Sequence, residues 1–197
     1  SDFFTPDPAL RSWAAHETLK ILFAGRLVDA QKKISTLLEA IRGLEQVHLT
    51  IVGDGPDRSL LAEQVKRLRL EAHVRFAGWL DKVALRRAYQ EANAYVSASL
   101  YEGMSNTALE AMSCGLPLIL SDIPGHQELV VSRENGLLFG PGDHGQLAEF
   151  LTGLSADAAL GAAMSRQGRR LACERFSWSE LARQHLDLFA AALRAKR

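Results

Sequence analysis

LKILFAGRLVDAQKKISTLLEAIRGLEQVHLTIVGDG, residues 19–55, contains one complete β-α-β period. LKILFAG (19–25) and VHLTIVGDG (47–55) are mostly continuous apolar runs, as strands covered on both faces are. Between them Ile34, Leu37, Leu38 and Ile41 recur at i, i+3, i+4 and i+7, the spacing of an amphipathic helix. The pattern repeats outward. HVRFAGW (73–79), AYVSAS (94–99), LPLILSD (116–122) and GLLF (136–139) read as further strands. Leu60, Leu61, Val65 and Leu68 mark a second helix, and residues 82–92 a third. This alternation predicts the α/β class, with a single Rossmann-like, doubly wound parallel sheet of about six strands. After about residue 143 the strands stop. GQLAEFLTGL, AALGAAMSRQGRRLACERF and SWSELARQHLDLFAAALRAKR read as three C-terminal helices, with Ser177 capping the last and Glu180 completing a capping box. TPDPAL, with Pro6 and Pro8, reads as a linker in front of the sheet.

The 197 residues are 47% hydrophobic, enough for one sizeable core. Lys plus Arg and Asp plus Glu are each 23, and a formal net charge of zero argues against a nucleic-acid partner, which needs a basic face. Cys114 and Cys173 are too few to staple a domain of this size and suit a reducing compartment. No apolar run has membrane-spanning length, and SDFFTPDPAL lacks a signal-peptide pattern. A soluble, cytoplasmic protein is expected, with peripheral membrane contact left open.

Ligands of open parallel sheets sit outside the carboxyl ends of the strands, so the segments following each strand are where chemistry is sought. In GRLVDAQKK (25–33), Gly25 ends a strand, Arg26 follows, and Lys32 and Lys33 come near the next helix. A guanidinium fork and a mobile ammonium suit a diphosphate, and a solvated basic loop is the plainer reading. VGDGPD (52–57) has two glycines but Arg58 where a dinucleotide fingerprint would need a third, so a tight turn with Asp54 or Asp57 capping is expected. In YEGMSNTALEAMSCG (101–115), a turn with Glu102 and Gly103 precedes a helix that Ser105 or Asn106 can cap and Gly115 ends. The helix start presents backbone N–H groups to an anion. Glu110 lies over one turn further, among Ala108, Leu109, Ala111 and Met112, where a carboxylate needs donors such as vicinal hydroxyls. The alternative is that Glu102 favours the helix dipole and Glu110 pairs with an Arg.

Together these segments resemble the C-terminal, donor-binding domain of a GT-B fold, family 4 ("group 1") retaining glycosyltransferase. The resemblance runs through DFFTPDPALR, FAGRL…K, LTIVGDGP, VRFAGWL, SLYEGMSNTALEAMSCGLPLILSD, PGHQELV, NGLLFGPGD and RFSWSELA, almost the whole chain. YEG-x7-E is its specific element. By this resemblance residues 1–18 would be an interdomain linker remnant, 19–176 a Rossmann-like nucleotide-sugar-binding domain, and 177–197 a helix reaching back to an N-terminal domain. It implies that Arg26 and Lys32 bind the donor diphosphate at Gly25, and that backbone around Met104, Ser105, Asn106 and Thr107 holds a phosphate. Glu110 would take the ribose hydroxyls, Glu102 beside Gly103 the transferred sugar, and backbone around Gly78 and Trp79 the base. The implied catalytic set is Glu102, Arg26 and Lys32.

No metal or other cofactor is implied, and His16, His48, His73, His126, His144 and His185 are scattered. Two features depart from the family: the Arg-to-Lys interval is one residue longer than is commonest, so Lys33 could replace Lys32, and Lys33 stands where Gly is usual. The resemblance also implies an absent N-terminal domain carrying the acceptor site, so the chain would be an excised domain or a split subunit, inactive alone. The implied function is hexosyl transfer from a nucleoside-diphosphate sugar to a glycan or glycolipid, at the cytoplasmic face of a membrane. Rival readings are a non-catalytic sugar-nucleotide-binding or scaffolding module, and half of a GT-B-shaped sugar-nucleotide epimerase. A nicotinamide dehydrogenase is disfavoured by the incomplete glycine fingerprint.

Overall fold

Six strands, β1 (Leu19–Ala24), β2 (Val47–Val52), β3 (Val74–Gly78), β4 (Ala94–Ser97), β5 (Leu118–Ser121) and β6 (Gly136–Phe139), form one sheet. Their order is β3-β2-β1-β4-β5-β6, and every pairing is parallel. The structure is a computed structural model that describes residues 3–7, 9–11, 13 and 18–195. Of the expected linker, residues 1, 2, 8, 12 and 14–17 lie outside the described residues, as do the last two of the expected C-terminal helix.

Alternate strand residues enter different cores, the physical meaning of a doubly wound sheet. Ile21, Phe23, Leu49, Ile51, Val96 and Ile119 pack on one face under α2 (Ile34–Ala40), α3 (Arg58–Arg67) and α7 (His144–Ala156). Leu22, Ala24, Val52, Tyr95, Leu118 and Leu120 pack on the other under α4 (Lys82–Glu91), α5 (Asn106–Ser113) and α8 (Ala158–Arg175). The amphipathic spacing of Ile34, Leu37, Leu38 and Ile41 is accounted for, since all four are fully buried.

Strand ends differ from the sequence reading where glycine intervenes. β2 stops at Val52 because Gly53 turns the chain with φ +122°, and a Cβ there would lie 1.9 Å from the Gly25 carbonyl oxygen. At Gly55 a Cβ would meet the Leu27 backbone at 2.4 Å. The glycines of VGDGPD thus admit a neighbouring loop. Asp57 occupies the N-cap position of α3 without capping it; its Oδ2 instead accepts from Asp29 N–H, 2.7 Å away, at the start of α1 (Asp29–Lys32). Asp54 accepts from the adjacent Gly55 N–H.

Two short helices were not anticipated, α1 and α6 (Pro124–Gln127). α9 (Trp178–Ala195) begins with Ser177 Oγ accepting from Glu180 N–H at 3.3 Å, which is half of the expected capping box. The Glu180 carboxylate turns to Arg183 and Gln184. Trp178, Leu186, Leu188, Phe189 and Leu193 of α9 are exposed.

The segment before β1 is fastened to the second core. Phe4 is buried, and Arg86, Gln90 and Arg169 donate to the carbonyls of Phe3, Thr5 and Phe4. Arg11 spends its guanidinium on the carbonyls of Tyr89 and Ala92 at the end of α4 and of Cys114 and Gly115 at the end of α5. Burial lowers its pKa to about 10. The adjoining Cys114 is buried too, and its thiol is pushed up to about 12 by that burial, whereas Cys173 is exposed.

Candidate active site

The strand order reverses direction at β1, with β2 on one side and β4 on the other, which puts the crevice of the sheet outside the carboxyl ends of β1 and β4. β1 and β4 pair over only two residue pairs, Ile21–Ala94 and Leu22–Tyr95. Beyond them the segments that follow the two strands are stitched together. Leu100 N–H donates to the Gln31 carbonyl at 2.9 Å, and the Gln31 amide donates to the Tyr101 carbonyl at 3.2 Å. Lys32 Nζ meets Glu102 Oε1 at 2.5 Å, with side-chain exposures of only 18% and 12%. Ser99 Oγ donates to the same oxygen at 2.7 Å. The structure therefore joins two predicted site residues to each other, the lysine from the β1 loop and the carboxylate from the β4 turn.

Lys33 takes a different course. It adopts the left-handed conformation (φ 46°, ψ 45°) at the junction of α1 and α2, which explains why glycine would be usual there. Arg26 is exposed directly after β1, and no hydrogen bond or ion pair holds its guanidinium among the described residues.

Glu102 is fixed from below by α6. A Cβ on Gly125 would lie 2.0 Å from the Gly103 carbonyl oxygen and 2.6 Å from that of Glu102, so only glycine lets α6 touch this turn. Next to it His126 is fully buried, with Nδ1 2.9 Å from the Ser121 carbonyl. Burial lowers its pKa, and Nε2 has no partner among the described residues. Ser121 Oγ donates to the Ser99 carbonyl, extending the support to the serine that holds Glu102.

Ser105, of the two candidate caps, is the N-cap of α5, its Oγ accepting from Ala108 N–H at 3.4 Å. The amides of Asn106 and Thr107 are then among the donors a helix start leaves without an intrahelical partner. Gly103, Met104 and Asn106 are exposed beside them. Thr107 Oγ1 is 2.8 Å from Tyr95 Oη, which also donates to the Ala24 carbonyl at 3.2 Å, tying the start of α5 to the end of β1.

Glu110, half-buried, pairs with no Arg among the described residues: its Oε2 accepts from Tyr89 Oη at 3.2 Å. Burial raises the carboxyl pKa, opposed by the Tyr89 hydroxyl and by the charge of Lys82 at the start of α4. Gly78 ends β3, two strands out from β1, about 10 Å by ordinary strand spacing. Its φ is +70°, its carbonyl accepts from Gly53 N–H at 2.7 Å, and the following Trp79 is 78% exposed. Of the supporting residues, Ser99, Gly125 and His126 lie in segments that carry the resemblance without having been assigned a role, and Tyr89 lies in the helix expected over 82–92 with nothing to mark it out.

Chemically, the carboxyl edge of the sheet presents a free guanidinium, a lysine paired with a carboxylate, a helix start with open amides and a second carboxylate one turn in. Among the described residues no cluster of His, Cys, Asp and Glu is arranged to hold a metal, and no helix is long and apolar enough to cross a membrane.

Residues 18–157 match the family model described as "Glycosyl transferases group 1". The chain is 31% identical over 182 residues to glycogen synthase of Mycobacterium tuberculosis, covering 90% of this chain and 44% of that protein. It is 30% identical over 171 residues to the lipopolysaccharide core biosynthesis glycosyltransferase LpsE of Rhizobium meliloti, covering 87% and 49%. Sucrose-phosphate synthase from Thermosynechococcus elongatus superposes with a TM-score of 0.86 at 31% identity, over 98% of this chain and 51% of the other. The chain thus spans about half the length of the curated relatives it matches.

Proposed function

Since the chain belongs to the group 1 glycosyl transferases, we propose that it is the donor-binding half of a retaining glycosyltransferase, moving a hexosyl unit from a nucleoside-diphosphate sugar to a glycan or glycolipid. The observation that carries this is the junction at the strand-order reversal: Lys32 on Glu102, beside the open amino end of α5, with Glu110 one turn further.

Each group has a part in that reaction. Departure of the nucleotide concentrates negative charge on the diphosphate, and Arg26, Lys32 and the amides of Asn106 and Thr107 meet it without a resident metal. Glu102 accepts hydroxyls of the transferred sugar once Lys32 turns to the phosphate. Glu110 accepts from the ribose, and the corner formed by half-buried Gly78 and exposed Trp79 lies toward the base. The acceptor and the remaining catalytic groups come from an N-terminal domain or a partner subunit, and the assembled enzyme works in the cytoplasm, against the membrane where the acceptor is a glycolipid.

Calorimetric titration of the chain with uridine and guanosine diphosphates tests the site. One of them binds, and Arg26→Ala and Glu110→Ala each weaken it about 10-fold or more, the scale of a lost hydrogen bond to a charged group. Absence of binding by both nucleotides, or variants that bind like the parent, overturns the assignment.

A further inference from the structure

We infer that Tyr89 is a positioning residue that sets Glu110 for a ribose hydroxyl and so makes the site select ribonucleotides over deoxyribonucleotides. This rests on the reading of Glu110 as the ribose acceptor. Tyr89 lies on α4 with no exposed surface, in the core between α4, α5 and the sheet. A phenylalanine would fill that core as well as a tyrosine, and burying a hydroxyl there is costly unless it is bonded. The hydroxyl has a single bonded partner among the described residues, Glu110 Oε2 at 3.2 Å. Burial raises the phenol pKa well above its ordinary value, so the hydroxyl stays a neutral donor and the carboxylate is the acceptor.

The donor is itself immobilised. Phe4 stands edge-on to its ring at 5.9 Å, and Tyr95 lies against it at 6.2 Å. Tyr95 is in turn tied to Ala24 and Thr107, at the two segments proposed to grip the diphosphate. Glu110 is consequently held by one oxygen from beneath, while Oε1 takes no hydrogen bond from the described residues. A carboxylate fixed in this way loses little further freedom on accepting a ribose hydroxyl, and preorganisation of this kind adds to affinity. Phosphate groups gain nothing from Tyr89, so its contribution is confined to ligands that carry the hydroxyl.

That confinement separates positioning from packing. The chain, its Tyr89→Phe variant and its Glu110→Ala variant are titrated with whichever of uridine or guanosine diphosphate binds, and with the 2′-deoxy and 3′-deoxy analogues. Tyr89→Phe is expected to weaken the ribonucleotide about 5-fold and to leave the analogue lacking the contacted hydroxyl within about 2-fold. Equal weakening of all three ligands, or no weakening of any, overturns the inference while leaving Glu110 in place if Glu110→Ala still abolishes discrimination. If the parent chain does not distinguish ribose from either deoxyribose, Glu110 is not the ribose acceptor, and the reading beneath the inference fails first.

Discussion

At the scale of residues, Lys33 shows how a departure from a family pattern acquires a physical reason. The sequence leaves Lys32 and Lys33 as alternatives for one diphosphate, and nothing in composition separates adjacent lysines. Backbone conformation does: Lys33 ends α1 in the left-handed region, while Lys32 reaches Glu102. A side chain in that region is strained relative to glycine, although glycine loses more freedom on folding. Lys33→Gly is therefore expected to stabilise the chain by about 0.5–1 kcal/mol in denaturant unfolding. It is also expected to keep nucleotide affinity, whereas Lys32→Ala loses it. Equal loss in both variants would move the diphosphate contact to Lys33.

Glu110 teaches the complementary lesson. Its apolar neighbours Ala108, Leu109, Ala111 and Met112 made a costly, partly buried acid legible, and it is half-buried with a raised pKa. Its partner was not legible, because Tyr89 lies 21 positions earlier on another helix and in sequence is only one more large residue of an amphipathic pattern.

At the scale of elements, the strands were readable as short, mostly apolar runs, even where β2 and β3 place His48, Thr50 and Arg75 on one face. The start of α5 was readable from Ser105, which caps as its residue type favours; Asp81 caps α4 in the same way but was not singled out in the sequence. The four-residue helices α1 and α6 were not, since four residues cannot display a helical period. α6 nevertheless decides where Glu102 sits, through the close approach of Gly125 to the Glu102–Gly103 backbone. Gly125→Ala must push this turn away by an ångström or more to escape contacts of 2.0 and 2.6 Å. On the proposed reading, in an enzyme assembled with its N-terminal half, the substitution is expected to cut kcat/KM for the sugar nucleotide at least 10-fold, with nucleoside diphosphate affinity changed less. That split follows because Glu102 is proposed to face the sugar and Glu110 the nucleotide. Loss of nucleotide affinity as large as the loss of activity would place Glu102 on the nucleotide instead.

At the scale of the whole molecule, the sheet is complete and the proposed site is one-sided. The charged groups all rise from the carboxyl edge of one sheet, and α9 carries an exposed apolar set, Trp178, Leu186, Leu188, Phe189 and Leu193. The chain also spans about half the length of its curated relatives. On the proposed reading it binds donor nucleotide by itself and transfers no sugar to any acceptor until an N-terminal half is supplied. A radiolabelled-donor assay with and without that half checks this; robust turnover by the chain alone would refute the division of labour.

The pairing of Lys32 with Glu102 balances one charge against the other. On the proposed reading, capture of Lys32 by a diphosphate is an exchange of counter-ions, in which the arriving anion displaces a resident one. Glu102 is then left needing donors, with Ser99 supplying one bond and a sugar's hydroxyls able to supply more. A nucleotide that has lost its sugar cannot complete this trade. On the proposed reading, this ion pair therefore tilts occupancy toward the loaded donor and eases departure of the spent one.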